Sequence, residues 1–392
     1  MRSWRWSIAI IKQRKGGTLK RILVIFGTRP EAIKLAPVIK ALQRRSGHFR
    51  VHVCVTGQHR EMLDQVLGFF DITPDFDLRV MKPDQTLNEL SARLFVGLDD
   101  VIRNVGPDMA LVQGDTTTTM VGAIAAYHSA VKVAHVEAGL RSGRKDSPFP
   151  EEINRKLVGH IADFHFAPTD AARQNLRNEG ITDNVWITGN TAIDALHFGL
   201  NRLQTGLASA SSDIEIVDQS KRMILVTSHR RESFGEPFER IVTAIRTLAK
   251  RFPDVQIVFP VHLNPQVRDI VFKRLCDHSN IALLDPVDYP TLIWLMKSCY
   301  IVLTDSGGIQ EEAPGLGKPV LVMREVTERM EGIEAGTAML VGSDADKIVS
   351  AASTLLTDES AYKKMATAVN PYGDGHSAER IVDLLETHFT PE

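Results

Sequence analysis

A chain of 392 residues is long for one hydrophobic core, so two domains are the starting expectation. Its 43% hydrophobic and 24% charged content is that of an ordinary globular protein, and a net charge of -2 gives no global field for nucleic acid or anionic lipid. Three widely spaced cysteines (Cys54, Cys276, Cys299) with no C-x-x-C pair argue against a zinc site and suit a reducing cytoplasm.

Residues 1–19 read as a loose extension. An apolar run from Ile8 to Ile11 follows Arg2 and Arg5, but it ends at Lys12 without a small-residue cleavage site, unlike a secretory signal. The basic run from Lys12 to Arg21 reads as a solvated tail rather than a nucleic-acid arm. No apolar stretch approaches the ~20 residues that span a bilayer. From Arg21 onward, short β-branched runs alternate with longer amphipathic ones, the pattern of parallel βα units. Strands are predicted over 21–26, 50–56, 109–113, 131–136, 164–167 and 185–188, with helices over 87–105 and 151–162 among those between them. Periodicity fades over 201–220, which reads as a linker. It restarts with predicted strands over 223–227, 255–260, 281–284, 300–304, 320–323 and 338–341. The pattern predicts an α/β protein of two doubly wound Rossmann-like domains, 20–200 and 221–392, with a cleft between them. Right-handed crossovers put the strand carboxyl ends of each sheet on one edge, and the chemically interesting residues fall there.

Phe26-Gly27-Thr28-Arg29-Pro30-Glu31 closes the first strand and opens a helix, with Pro30 suited to its first turn. Such a start either receives an anion, with Arg29 and Lys34 supplying charge, or simply carries two solvated cations. The absence of G-x-G-x-x-G here argues against a nicotinamide or flavin cofactor. Asp115, ahead of four threonines, fits a catalytic carboxylate or an N-cap. His135 lies within an apolar strand and reads as a core histidine. Glu137, before Ala138-Gly139 at a strand end, has few structural explanations. Glu151 and Glu152 follow Pro148-Phe149-Pro150 and fit either catalysis or a first-turn dipole role. His229, beside Arg230 and Arg231 at the first strand end of the second domain, is placed to contact phosphate or pass a proton. Asp305-Ser306-Gly307-Gly308 looks like a phosphate cradle, where glycine N–H groups and the Ser306 hydroxyl approach an anion. Further along that helix, Glu312 can accept from ribose hydroxyls. Its neighbour Glu311 points about 100° away, so the two do not share a face. No H-E-x-x-H or similar grouping appears, and no catalytic metal is expected.

These words, with Gly57-Gln58-His59-Arg60, Pro150-Glu151-Glu152-Ile153-Asn154-Arg155, Thr188-Gly189-Asn190, Pro260-Val261-His262-Leu263-Asn264-Pro265 and Pro371-Tyr372-Gly373-Asp374-Gly375, resemble the non-hydrolysing UDP-N-acetylglucosamine 2-epimerases over roughly residues 20–388. The resemblance implies a glycosyltransferase-B-like fold with the active site in the interdomain cleft, and a last helix that crosses back to the N-terminal domain. It also implies interconversion of UDP-GlcNAc and UDP-ManNAc without metal or redox cofactor. By the same resemblance Asp115, Glu137 and Glu151 are the acid/base carboxylates. Arg29, Lys34, His229, Ser306, Gly307, Gly308 and Arg329 hold the diphosphate, Glu312 the ribose, and the 285–292 loop with Val287 and Leu292 walls the uracil. Gln58, Glu61 and His262 match motifs linked with a second, activating UDP-GlcNAc. A homodimer, a cytoplasmic location and a role in supplying surface polysaccharide are implied in the same way. Three positions depart from the family pattern. Met330 stands where the family has proline, which loosens the aim of Arg329, and Val287 and Leu292 replace glutamine and phenylalanine. A glycosyltransferase of the same fold, a hydrolysing epimerase and a nucleotide-sugar-binding module are the rival readings.

Overall fold

In the computed structural model the described residues are 19–57, 60–228 and 234–389. The first half supplies strands β1 (Lys20–Phe26), β2 (Phe49–Val55), β3 (Phe76–Asp77), β4 (Met109–Gln113), β5 (Lys132–Val136), β6 (Phe164–Ala167) and β7 (Val185–Ile187). The second supplies β8 (Arg222–Thr227), β9 (Val255–Pro260), β10 (Ile281–Leu284), β11 (Ile301–Thr304), β12 (Val320–Val322) and β13 (Ala338–Leu340). They form two sheets, ordered β3-β2-β1-β4-β5-β6-β7 and β10-β9-β8-β11-β12-β13. Every pairing is parallel. In each sheet the strand order reverses beside the first strand, between β1 and β4 and between β8 and β11, which opens the crevice where such sheets take ligands.

Each predicted strand is present to within one residue at either end. The strand that was not predicted, β3, is two residues long and carries no periodicity; it is held by pairing with Cys54 and Val55 of β2. The stretch 201–220 has more structure than a linker. Helix Thr191–Gln204 runs into it, and a 3-10 turn follows at Ser212–Ile216. It is also pinned: Ser211 N donates to Thr291 Oγ1 at 2.8 Å and Gln256 Nε2 to Ile216 O at 3.0 Å.

Alternation along β1 builds two layers. Ile22, Val24 and Phe26 pack with Leu35, Val38 and Ile39 of helix Arg29–Arg44. Leu23 and Ile25 face Leu94, Leu98 and Ile102 of helix Leu87–Val105 on the other side. All are fully buried or nearly so, and burying each such side chain contributes about 1.5–3 kcal/mol. Helix Arg29–Arg44 starts at a capping box: Thr28 Oγ1 accepts from Glu31 N, and Glu31 Oε2 accepts from Thr28 N at 2.7 Å.

One apolar cluster continues from Phe26 and Ile39 through Leu196 and Ile293 to Leu225 and Val302 of the second sheet. Rings reinforce it. Phe70 stacks on Phe198 at 5.0 Å, and Phe69 meets Tyr289 edge-on at 5.8 Å. The C-terminal helix Ser377–Phe389 packs on helices Arg29–Arg44 and Thr191–Gln204, where Arg45 pairs with Glu379 and Glu386 at 2.9 Å. Among the described residues no helix is long and apolar enough to cross a membrane.

Candidate active site

A cleft of about 530 Å³ opens over the two switch points. The turn after β1 gives it Thr28, and the helix that follows gives Arg29 and Lys34. The ends of β8 and β11 give Ser228 and Ser306–Gly308, and Val287, Tyr289 and Leu292 close one side. Arg29, Lys34, Val287, Leu292, Ser306, Gly307, Gly308, Glu312 and Arg329 all line this one space, as does His262. Leu292 belongs to helix Tyr289–Ser298, capped by Asp288, so the expected 285–292 loop is half helix. The cradle helix, Gly307–Glu312, is only six residues long. Its N-cap Ser306 makes no side-chain cap hydrogen bond, so that hydroxyl is not used up within the helix. Among the described residues, no three His, Cys, Asp or Glu side chains group as metal ligands. His229 and Gln58 lie outside the described residues, as does the side chain of Glu61.

One glycine of the site is required by close approach. A Cβ on Gly27 would fall onto Thr56 Oγ1 and come within 2.8 Å of Thr118 Oγ1, two hydroxyls that bond each other at 3.1 Å. Gly27→Ala is therefore expected to cost about 1–3 kcal/mol, seen as a lower thermal midpoint and weaker anion binding. A Cβ on Gly307 would meet the Arg329 guanidinium carbon at 2.6 Å, so this arginine lies against the cradle backbone.

Asp115 and Glu137 follow the adjacent strands β4 and β5, Glu151 opens a helix, and none of the three lines the cleft itself. Glu137, just past β5, holds a positive φ of 65°, rare outside glycine. Gln113, at the end of β4, bonds its carboxylate, and Lys34 Nζ approaches it at 2.8 Å. Burial pushes the Glu137 pKa up, and Lys34 opposes that push. Burial also opposes the Lys34 charge, but Glu137 and Glu311 together outweigh it and push its pKa up to about 12. Glu311, also within reach of Lys34, is held below its ordinary value: burial raises it, but Lys34 and Arg329 prevail.

Asp115 follows β4. The cap of helix Thr117–His128 is Thr116, which accepts from Thr119 N at 3.1 Å, so the N-cap alternative for Asp115 does not hold. Its carboxylate pairs with the Arg155 guanidinium instead, and Asn154 Nδ2 donates to Asp115 O at 2.9 Å. Helix Glu151–Ile161, which supplies both partners, is thereby fastened to the Asp115 turn with Glu151 at its first position. The adjacent Glu152 is fully buried and accepts from Ser142 N and Gly143 N at 3.0 and 3.3 Å, so it pins a loop. His135 is a core histidine: buried, Nε2 within 2.7 Å of Gly114 O, and pushed down to about 3 by burial.

Glu312 accepts from the Tyr289 hydroxyl at 3.2 Å, and burial with the neighbouring Glu311 charge pushes its pKa up to about 7. Arg329 is well aimed without a proline beside it. Its N–H donates to Thr327 Oγ1 and its carbonyl accepts from Tyr372 Oη, both at 3.2 Å, while Met330 is 45% exposed. Four further site residues escaped the sequence reading: Glu311, Tyr289, Arg155 and Glu31. Glu31 accepts from Gly27 N and Thr28 N at 3.0 and 2.7 Å and from Thr116 Oγ1 and Thr119 Oγ1 at 2.7 and 3.0 Å. It thus ties the first anion-facing turn to the turn bearing Asp115. Arg155 had a sequence signal, four residues after Glu151 on one helix face.

Two Rossmann-like sheets, with one cleft over both switch points, define a glycosyltransferase-B-like α/β fold. The chain belongs to the UDP-N-acetylglucosamine 2-epimerase family, whose sequence model matches residues 40–386. It is 53% identical over 375 residues to a probable UDP-N-acetylglucosamine 2-epimerase of Ralstonia nicotianae, covering 95% of this chain and 100% of that one. It is 50% identical over 372 residues to the UDP-N-acetylglucosamine 2-epimerase of Escherichia coli K12, covering 94% and 99%. Among solved structures, the Neisseria meningitidis UDP-GlcNAc 2-epimerase bound to UDP-GlcNAc superposes with a TM-score of 0.88, at 45% identity and covering 94% and 100%.

Proposed function

We propose that this chain is an isomerase interconverting UDP-GlcNAc and UDP-ManNAc without hydrolysis. The observation that carries this reading is the Lys34 bridge. One lysine lines the anion-facing cleft and also touches Glu137, so a nucleotide diphosphate and the carboxylate group lie within one side chain's reach. The C2 proton of the sugar is not next to a carbonyl, so simple deprotonation is prohibitive. Its removal as UDP leaves C1 gives a 2-acetamidoglucal, and UDP re-adds at C1 while a proton arrives on the opposite face of C2. Such a route needs proton-transfer groups on both faces and a firm anion clamp.

In this reading Asp115, Glu137 and Glu151 exchange the protons. Arg29, Lys34, Arg329, His229 and the Ser306, Gly307 and Gly308 backbone hold the diphosphate. Glu312 takes the ribose hydroxyls, and Val287 and Leu292 flank the base. Closure of the cleft retains the glucal and UDP long enough for re-addition. A second UDP-GlcNAc activates the enzyme at Gln58, Glu61 and His262. The protein works as a cytoplasmic homodimer and supplies ManNAc units for surface polysaccharide.

Proton NMR of the protein with UDP-GlcNAc in deuterated water, without added NAD or metal, tests this. The expected product is UDP-ManNAc carrying deuterium at C2, with traces of glucal and UDP. Free ManNAc would indicate the hydrolysing route instead. Unchanged, undeuterated UDP-GlcNAc would sink the substrate assignment.

A further inference from the structure

Lys34 and Arg329 reach the cleft as two cations suited to a diphosphate, yet both already pair with one shared buried carboxylate, and Arg329 pairs with Glu328 as well. Lys34 Nζ lies 3.0 Å from Glu311 Oε2, while Arg329 Nε and Nη2 both lie 2.9 Å from Glu311 Oε1. The Glu311 side chain is 1% exposed. The two cations come from different halves of the molecule, Lys34 from the helix after β1 and Arg329 from the loop after β12. Lys34 also keeps Glu137 at 2.8 Å, and the Arg329 guanidinium lies against Gly307 at the cradle. An entering diphosphate therefore meets cations that already have an anion.

We propose that Glu311 is a positioning residue that stands in for the diphosphate: it holds Lys34 and Arg329 across the cleft when no ligand is bound and yields them when one arrives. The proposal rests on the reading of the cleft as a nucleotide-diphosphate site. It carries two consequences of opposite sign. Competition from Glu311 weakens diphosphate binding, which favours exchange of UDP. Alignment by Glu311 keeps Lys34 on Glu137 and so supports turnover. A residue that merely stabilised the fold would weaken both.

The test is Glu311→Gln, which keeps the side chain's size and removes its charge. Calorimetric titration with UDP and with inorganic pyrophosphate is expected to show binding at least about tenfold tighter than wild type. In the same variant KM should fall and kcat should drop about tenfold. Glu311→Asp, which keeps the charge but withdraws it from Lys34, should move both quantities the same way by less, and it serves if the glutamine variant does not fold. Unchanged or weaker binding of both anions by a folded variant overturns the proposal. Wild-type protein that binds pyrophosphate but not UDP would overturn the nucleotide reading, while the pyrophosphate comparison would still decide the role of Glu311.

Discussion

Replacing Glu137 with glutamine is expected to lower kcat for UDP-GlcNAc epimerisation by about 10²–10⁴-fold, the usual contribution of a positioned acid or base. The change keeps the shape of the side chain and its contact with Gln113, so the fold should survive. It removes a carboxylate whose proton affinity is set by two opposed causes, burial raising it and Lys34 lowering it. Such a balance keeps the group able both to take and to give a proton. UDP affinity should be no weaker than in wild type, because Lys34 loses one of its two anionic neighbours. The discriminating measurement is deuterium incorporation at C2 alongside turnover. Loss of both, with UDP still bound, assigns proton transfer to Glu137. Turnover within threefold of wild type would remove it from the chemistry.

The chain shows unevenly how such a site is written in a sequence. β1, β4, β5, β8 and β11 were legible because each is a short β-branched run between polar stretches, and their ends carry the functional words. The cleft-lining set was legible for the same reason, since Thr28–Lys34 and Ser306–Glu312 are contiguous and each follows a strand. Glu311 was not. The sequence shows two adjacent glutamates on one helix, and helical geometry says they diverge, but not that the second direction also ends on a cation from the other sheet. That information resides in how the halves pack, through Phe69, Phe70, Phe198 and Tyr289, which no periodicity reports. Glu31 was hidden for a similar reason: as a capping-box acid it looks local, yet it also accepts from Thr116 and Thr119 of a distant turn. Lys34, read as a spare charge for phosphate, is a buried ion-pair partner whose two neighbours, Glu137 and Glu311, lie far along the chain.

Glu312 gives the second large effect, and it comes with a pH signature. Burial, aided by the charge of Glu311, lifts its pKa from the ordinary carboxylate range to about 7. The folded state therefore holds a proton that the unfolded chain has released between about pH 4.5 and 7, so stability falls as pH rises through that window. The stabilisation is fully present below about 4.5 and is lost as pH passes 7; a lift of this size amounts to on the order of 3 kcal/mol. Glu312→Gln removes the titration, and its thermal midpoint should decline less than that of wild type between pH 5 and pH 8. Nucleotide binding should move in the opposite direction. Ribose hydroxyls donate to the ionised carboxylate, so the affinity of wild type for UDP improves as pH rises through 7. The variant should bind UDP about 10–100-fold more weakly at pH 8 and lose that part of the pH slope. Titration of UDP itself is common to both proteins and cancels in the comparison. Parallel pH profiles for the two proteins, in melting and in UDP binding alike, would mean that Glu312 neither titrates near neutrality nor holds the ribose. The same carboxylate would then be left with its bond from Tyr289 as its sole visible role, a strut between the aromatic junction and the cradle helix. Opposite slopes in melting and binding would instead show a site that gives up stability near neutral pH to keep an ionised acceptor ready for its ligand.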